Sequence, residues 1–331
     1  MFDPGNIPPT PYSEPSRSPI DTSVVPPHVV LVTKYTSYRH FLELCRNDEA
    51  QRRLFGRDAT VAAVRAAHEE HRCTLRQVEE ILRDLGVRLH VVGVPHQPFS
   101  VRGVSLVVTV GGDGTLLAAS HQCDHQTPIV GINSAPSSSV GFFCGLKPGR
   151  RLRSALERAM EGTLHGLELA RMEVRINRKL ISRRVLNDAL FCHASPAATS
   201  RYIVQIGEQL EIHKSSGFWI GPAAGSTAAQ YSAGGRILPI TSKQLQFVVR
   251  DPYLLTGRLR FSRSVVREGE ALLVFNRMRD AKVYLDGPHT VVDVGVGSKL
   301  QFSLSTEPLH VLGLRPDRGR NGSVRRGFGG V

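Results

Sequence analysis

The first half of the chain alternates short apolar runs with longer amphipathic stretches. Residues 29–32 are four consecutive apolar residues after two prolines, which predicts a buried strand. Between residues 59 and 85, apolar side chains recur every three or four positions, which predicts a long helix that Gly86 ends. Because predicted strands alternate with predicted helices along this half of the chain, we predict a parallel α/β sheet over residues 28–150. Its other strands are predicted over 89–94, 105–110 and 128–132.

The second half of the chain has a different pattern. Residues 151–160 place apolar side chains on one helical face, and a short helix is predicted near residues 226–233. Elsewhere, short alternating or β-branched runs are separated by glycine and proline turns. We therefore predict an antiparallel, sandwich-like β domain over 151–305, with a substrate cleft between it and the first domain. The predicted strands are 172–176, 203–206, 245–249, 272–275, 282–285 and 290–294.

The two ends of the chain differ in composition from the rest. Residues 1–27 are rich in proline and serine and lack the apolar segment of a secretion signal, so we expect a flexible leader. Residues 306–331 end in a basic stretch, which predicts a flexible tail. The chain has no run of 18 apolar residues, so we expect no membrane-spanning helix. Five cysteines without C-x-x-C spacing fit a reducing compartment, and we expect a cytoplasmic protein.

The net charge is strongly positive and favours anionic partners. Lysine and arginine total 42 against 29 aspartates and glutamates, which gives a formal charge of +13. A phosphate-bearing small molecule or a nucleic acid would exploit this charge, and a solvated basic surface explains it without any ligand. The chain lacks RNA-recognition, KH and zinc-finger motifs, so we expect no nucleic-acid partner. A non-catalytic, basic nucleic-acid-binding protein stays open as an alternative.

The motif Gly111-Gly112-Asp113-Gly114-Thr115 carries the clearest chemistry. It lies between a predicted strand and a predicted helix. Its glycines permit a sharp turn and a close ligand approach, and amides at a helix start favour phosphate. A carboxylate is unfavourable beside phosphate unless it takes a proton, binds a metal or holds a hydroxyl. A general base for phosphoryl transfer meets these needs, whereas the simpler alternative is that Asp113 only caps the turn.

Three other motifs are weaker by themselves. Residues 224–235 are mostly small, and Ser226 or Thr227 can cap a short helix while offering a hydroxyl to a ligand. Asn187-Asp188 interrupts a predicted strand over 185–191, where a polar turn is the simpler interpretation. His121 and His125 share a helical face, but no second ligand pair accompanies them. We therefore predict no protein-held metal site.

Together the motifs resemble those of the ATP-dependent NAD kinases. The resemblance covers about residues 28–305 and rests on the order of Gly-Gly-Asp-Gly-Thr-Leu-Leu, Pro-Ile-Val-Gly-Ile-Asn, Asn-Asp and Gly-Ser-Thr-Ala. Asn187-Asp188, Ser215-Ser216-Gly217 and residues 224–229 resemble the plant NADH-kinase branch in particular. The resemblance implies a fold like that of NAD kinases and diacylglycerol kinases. In that fold, an N-terminal Rossmann-like α/β domain precedes a β-rich C-terminal domain.

The resemblance also implies the chemistry of the site. ATP would be the phosphoryl donor, with Mg²⁺ or another divalent metal, NADH or NAD⁺ would be the substrate, and the protein would be a homodimer. Asp113 would deprotonate the 2′-hydroxyl of the adenosine ribose. The other implied ligand-contacting residues are Gly112, Gly114, Thr115, Asn133, Asn187, Asp188, Lys214, Ser226, Thr227, Ala228 and Ser232.

Several positions depart from the family pattern. Ala229 replaces a tyrosine, Ser216 replaces an aspartate, and Pro288 replaces a glutamine. The first two changes remove an aromatic surface and a negative charge, which favours NADH over the cationic NAD⁺. Lipid kinases of the diacylglycerol and sphingosine type share the Gly-Gly-Asp-Gly-Thr motif and remain an alternative. Their Glu-Val…Asn-Gly continuation is absent, and no amphipathic membrane helix is evident.

Overall fold

The computed structural model of this chain describes residues 26–44, 58–93, 96–253 and 259–316. The predicted leader, apart from its last two residues, and most of the predicted tail lie outside the described residues. No helix in the described ranges is long and apolar enough to cross a membrane.

The first sheet has six strands in the order β2-β1-β3-β4-β18-β5, and only β5 runs antiparallel to its neighbour. The elements that lead into it are β1 (His28–Thr33), α1 (Ser37–Leu44), α2 (Asp58–Asp84), β2 (Arg88–Val92), β3 (Leu106–Gly111), α3 (Asp113–Ser120), β4 (Ile129–Asn133) and α4 (Leu152–Met160). The strands β5 (Gly166–Leu169) and β18 (Leu309–Leu312) complete it.

The rest of the described chain forms two antiparallel six-stranded sheets, ordered β10-β9-β14-β17-β6-β7 and β13-β12-β11-β8-β15-β16. Their strands are β6 (Met172–Ile176), β7 (Lys179–Val185), β8 (Ala189–His193), β9 (Ser200–Ile206), β10 (Gln209–Ser215), β11 (Phe218–Pro222), β12 (Gln244–Val249), β13 (Arg263–Arg267), β14 (Ala271–Asn276), β15 (Ala281–Leu285), β16 (Thr290–Val294) and β17 (Lys299–Leu304). Between β11 and β12 lie a 3₁₀ helix (Ala223–Thr227) and α5 (Ala229–Ser232).

The burial patterns explain the two architectures. Every residue of β3 and β4 is buried, as expected for parallel strands covered on both faces. The helix α2 covers one face with Val78, Ile81 and Leu82. In β14, by contrast, buried and partly buried residues alternate, and its buried face joins a core shared by both antiparallel sheets. The predicted α/β domain and β-sandwich are confirmed.

The structure differs from the sequence predictions at three places that matter for the site. The helix α3 begins at Asp113, inside the glycine motif, rather than after the motif as predicted. Asn187-Asp188 lies in the connection between β7 and β8 rather than within one strand. The strands β5 and β18 lie in ranges predicted to belong to the β-rich domain (151–305) and to the C-terminal segment (306–331), but both pair within the first sheet. Pairing of this kind depends on contacts distant in sequence, which local patterns do not report.

Candidate active site

The carboxyl ends of β3 and β4 form the floor of the site. Gly111 pairs with Asn133 in the parallel register, and α3 begins two residues after Gly111. A Cβ atom on Gly111 would lie 2.1 Å from Oγ1 of Thr115, so only glycine lets the first turn of α3 fold back onto the strand. The Thr115 side chain is therefore buried beneath the turn. In open α/β sheets, ligands bind at this edge.

Two backbone amides orient the Asp113 carboxylate. Oδ2 of Asp113 accepts a hydrogen bond from the Phe142 amide at 2.8 Å, and Oδ1 accepts one from the Phe143 amide at 2.7 Å. The side chain is half-buried, and the neighbouring Gly114 is exposed. Each carboxylate oxygen has a second lone pair, so both keep the capacity to accept a hydroxyl proton. The two amides thus fix the orientation of the Asp113 carboxylate and leave one lone pair on each oxygen available.

Asn133 stabilises the loop that supplies those amides. Its side chain is buried, its Nδ2 donates to the Ser139 carbonyl at 2.8 Å, and its Oδ1 accepts from the Ala135 amide at 3.3 Å. Gly141, at φ +58, packs directly against the Asn133 side chain. Asn133 therefore acts on the site through the loop of residues 134–143.

A cavity of about 600 Å³ opens beside Gly114, between the α/β sheet and the sandwich. Four of the predicted site residues line it, namely Gly114, Asn187, Asp188 and Ala228. The remaining lining residues are Leu117, Leu190, Trp219, Ala229, Tyr284, Asp286, Gly287 and Pro288. The cavity thus lies between the glycine-rich loop of residues 111–115 in the first domain and the Asn187-Asp188 turn in the second.

Asp286 holds the Asn187-Asp188 turn in place. Its carboxylate accepts hydrogen bonds from the amides of Leu186 (2.8 Å), Asn187 (2.7 Å) and Asp188 (3.1 Å). In return, the Asp286 amide donates to the Asp188 carbonyl at 2.9 Å. Asp286 adopts a positive φ of 50° to make these contacts. This reciprocal arrangement presents both turn side chains to the cavity.

The Asp188 carboxyl lies in an unusual electrostatic environment. It is 4% exposed, and its one hydrogen bond in the described structure comes from Nδ2 of Asn187 at 3.0 Å. Burial, and secondarily the nearby Asp286 carboxylate, raises the pKa of Asp188 to about 7. Near neutral pH, Asp188 can therefore either donate a hydrogen bond to a ligand or accept one.

His121 connects the two domains at the base of the cavity. It follows α3 directly, and its Nε2 lies 2.9 Å from Oδ2 of Asp286, at ion-pair distance but without hydrogen-bond alignment. Arg184 donates to the His121 carbonyl at 3.1 Å. The described residues contain no group of three or more potential ligands that could hold a metal ion.

The small residues of the third motif are required by close packing. A Cβ atom on Gly225 would lie 1.6 Å from the Asn187 carbonyl oxygen. The buried Ser226 hydroxyl donates to the Ala223 carbonyl at 2.7 Å and accepts from the Leu238 amide at 3.0 Å. The 3₁₀ helix is thereby pressed against the Asn187-Asp188 turn. Ser226 is used within the protein, and Ala228 follows at the cavity wall.

A second cavity of about 560 Å³ adjoins the first and shares Trp219 and Ala229 with it. It also contains the predicted residue Ser232, together with Ala233, Val249, Arg250, Asp251 and Pro252. Lys214 is exposed on β10. The predicted residues that line neither cavity are Gly112, Asp113, Thr115, Asn133, Lys214, Ser226 and Thr227, and Asp113 is adjacent in sequence to the lining residue Gly114.

Sequence reasoning missed several residues that line these cavities. Asp286 lies two residues before Pro288, but its role depends on amides about 100 positions away. Trp219, Tyr284 and Arg250 lie on or beside strands whose pattern indicates only sheet structure. The available signal for Trp219 is that it is the only tryptophan in the chain.

Known proteins share both the sequence pattern and the fold. A family model described as "ATP-NAD kinase N-terminal domain" matches residues 57–164. A probable NADH kinase from Oryza sativa is 32% identical over 241 residues, which cover 64% of this chain and 72% of the relative. The chain belongs to the NAD kinase family. The NADH kinase from Arabidopsis thaliana is 29% identical over 274 residues, covering 73% of this chain and 83% of that kinase.

Solved structures support the fold of this NAD kinase family member. An NAD kinase from Archaeoglobus fulgidus, crystallised in complex with ATP, superposes with a TM-score of 0.64 at 21% identity. The match covers 90% of this chain and 98% of the archaeal chain. Yeast NADH kinase complexed with NADH gives a TM-score of 0.63 at 16% identity and covers 92% of this chain and 89% of the yeast chain.

Proposed function

We propose that this protein is an ATP-dependent NAD(H) kinase that phosphorylates the 2′-hydroxyl of the adenosine ribose. The observation that carries the proposal is the single cavity bordered by Gly114 on one side and by Asn187 and Asp188 on the other. Its glycine-rich loop can bind phosphates, and its Asn187 and Asp188 side chains can form hydrogen bonds with ribose hydroxyls. Membership of the NAD kinase family supplies the identities of the two substrates.

In this proposal, Asp113 is the general base. The amides of Phe142 and Phe143 fix its carboxylate, so its free lone pairs have a defined direction toward an incoming hydroxyl. The ribose oxygen attacks the terminal phosphorus of ATP, the bond to the leaving ADP oxygen breaks, and the hydroxyl proton passes to Asp113. Solvent then removes the proton. General-base assistance of this kind contributes about 10²–10⁴-fold in rate.

The first turn of α3 borders the cavity, where negative charge shifts between phosphate oxygens during the transfer. Amides at this helix start, next to Gly112 and Gly114, attract phosphate oxygens. Across the cavity, Asn187 and the Asp188 carboxyl offer hydrogen bonds that orient the sugar. Positioning, rather than covalent chemistry, is what phosphoryl transfer requires of a protein.

A divalent metal would enter this site bound to the phosphates of ATP. The described residues hold no cluster of three or more metal-ligating side chains, and both oxygens of Asp113 already accept amide hydrogen bonds. Mg²⁺ commonly keeps several waters and binds through substrate phosphates, so Asp113 stays available as the base. When bound, the metal would neutralise charge on the transferred phosphoryl group.

The test measures product and binding separately. Purified protein with ATP, Mg²⁺ and either NADH or NAD⁺ is expected to form NADPH or NADP⁺. Because Trp219 is the only tryptophan and lines both cavities, its fluorescence reports dinucleotide binding without turnover. Phosphorylation of diacylglycerol or sphingosine, with no NADP(H) formed, would instead establish the lipid-kinase alternative.

Asp113→Asn tests the base. We expect kcat to fall about 10²–10⁴-fold while fluorescence still detects dinucleotide binding. The amide of asparagine can accept only one of the two backbone hydrogen bonds, so the thermal unfolding of the variant is measured alongside. Asp293→Asn is the matched control, because its side chain is 86% exposed and, within the described structure, forms an ion pair with Lys282 alone. A folded Asp113→Asn variant with near wild-type kcat would refute the assignment.

The cytoplasmic location and the homodimer stay predictions from the sequence. Size-exclusion chromatography with light scattering measures the oligomeric state. Microscopy of the tagged full chain measures the location.

A further inference from the structure

The two cavities share two lining residues, and we refer to them together as the groove. The first contains Gly114 and the Asn187-Asp188 turn, and the second contains Ser232 and Arg250. Trp219 and Ala229 belong to both, so the indole lies at their junction. The family tyrosine is replaced by Ala229 at this junction. An alanine side chain occupies less space there than a tyrosine ring would.

The proposed reaction fixes the direction in which a dinucleotide occupies the groove. Transfer to the adenosine ribose requires that ribose to lie beside Asp113, at the end of the groove that contains Gly114. The nicotinamide end can then extend past Trp219, which lines both cavities, into the second cavity. In this orientation the nicotinamide ring meets the charges of that cavity.

Arg250 is the half-buried charge of the second cavity. Its guanidinium carbon lies 5.8 Å from the centre of the Trp219 ring, and its Nη1 lies 3.5 Å from the Ser216 carbonyl oxygen. Among the described residues, no carboxylate lies within ion-pair distance of Arg250. Ser216, where family members carry an aspartate, supplies no negative charge. The other charged lining residue, Asp251, is exposed and therefore more strongly screened by solvent.

We infer that Arg250 makes the site select the reduced dinucleotide, an inference that rests on the proposed kinase function. The oxidised nicotinamide ring carries a positive charge, which the guanidinium repels. The reduced ring is neutral and stacks on Trp219 without that cost. Arg250 already covers one part of the indole through a cation–π contact, so a second cation competes with it. The selectivity therefore comes from repulsion of the wrong substrate rather than from an added contact to the right one.

Coulomb's law sets the size of the effect. Two unit charges about 8 Å apart change an equilibrium about threefold in bulk water and about thirtyfold at an effective dielectric constant of about 20. We therefore expect kcat/KM for NADH to exceed that for NAD⁺ by a factor within this range. Raising the salt concentration should reduce the ratio, because ions screen the repulsion.

The test compares this ratio between variants. Arg250→Gln should lower the NADH-to-NAD⁺ ratio by about threefold or more, mainly through better use of NAD⁺, whereas Arg250→Lys should retain most of it. Asp251→Asn should raise the ratio, because it removes an attraction for the cation. Arg267→Gln is the matched control, since Arg267 pairs with Gln244 at the opposite end of β12, about 20 Å away along the strand.

The outcomes separate this inference from the proposed function. An unchanged ratio in a folded, active Arg250→Gln variant would overturn the role of Arg250, as would a wild-type enzyme that prefers NAD⁺. Absence of NADP(H) formation with either substrate would overturn the kinase proposal instead. In that case, Trp219 fluorescence titrations with NADH and NAD⁺ still measure the binding ratio. Equal affinities of the two dinucleotides in the wild type would refute the inference directly.

Discussion

Replacing Asp188 by asparagine should make the protein more stable at neutral and alkaline pH. The folded state raises the pKa of this carboxyl from 3.8 to about 7. Between these values, the folded state holds a proton that the unfolded chain has lost, so the contribution of Asp188 to stability falls as pH rises. A difference of about three pH units corresponds to about 4 kcal/mol in the free energy of unfolding above pH 7. Asparagine has no charged form and avoids this cost.

Urea unfolding followed by circular dichroism, measured from pH 4 to pH 8, tests this reasoning. We expect Asp188→Asn and the wild type to differ little near pH 4, and the variant to gain up to about 4 kcal/mol by pH 8. The exposed Asp293→Asn variant should track the wild type to within about 1 kcal/mol throughout. A constant difference across the pH range, or a variant that loses stability as pH rises, would show that Asp188 is ionised in the folded protein as freely as in the unfolded chain.

Three further predictions follow from the site and its surroundings. Gly225→Ala should lower the melting temperature and weaken dinucleotide binding, because its Cβ would overlap the Asn187 carbonyl. Gly93→Ala should do neither, since its Cβ would meet no atom of the described residues within 4 Å. Burial lowers the pKa of His71 to about 4. Because the unfolded chain binds this proton more readily, the free energy of unfolding should fall by about 3 kcal/mol as the pH drops from 6.5 toward 4. A His71→Gln variant with the same acid sensitivity in urea titrations would contradict this. Dialysed protein should bind no Mg²⁺ in calorimetry until ATP is added, and stoichiometric binding to the protein alone would refute the site geometry proposed above.

The parts of the site that sequence predicts well are those built by neighbouring residues. Gly111 to Thr115 form a strand–helix junction whose requirements are met within five positions, so the motif itself indicates a tight turn and a ligand edge. The position of Asp113 within α3 follows from the same local geometry. Its carboxylate direction does not, because the amides that orient it come from a loop about 30 residues later.

The parts that sequence predicts poorly depend on pairing between distant strands. Asn187-Asp188 has the pattern of an interrupted strand, and only the hairpin that carries Asp286 holds it as a turn. Lys214 shows the opposite case, in which a motif position suggests a phosphate contact but the residue lies exposed on the edge strand β10. Arg250 was not predicted at all, because its significance comes from Trp219 on the neighbouring strand β11.

The position of β18 has a consequence for how the protein is made. This strand pairs with β4 on one side and β5 on the other, although both sandwich sheets are synthesised before it. While the ribosome produces those sheets, the edges of β4 and β5 present unpaired amides and carbonyls to any extended segment nearby. The α/β unit thus closes last, and a chain cut before residue 309 would keep a template for intermolecular strand addition. Among the described strands β18 is the last in the chain, so this gap stays open until nearly all of the described residues have been synthesised.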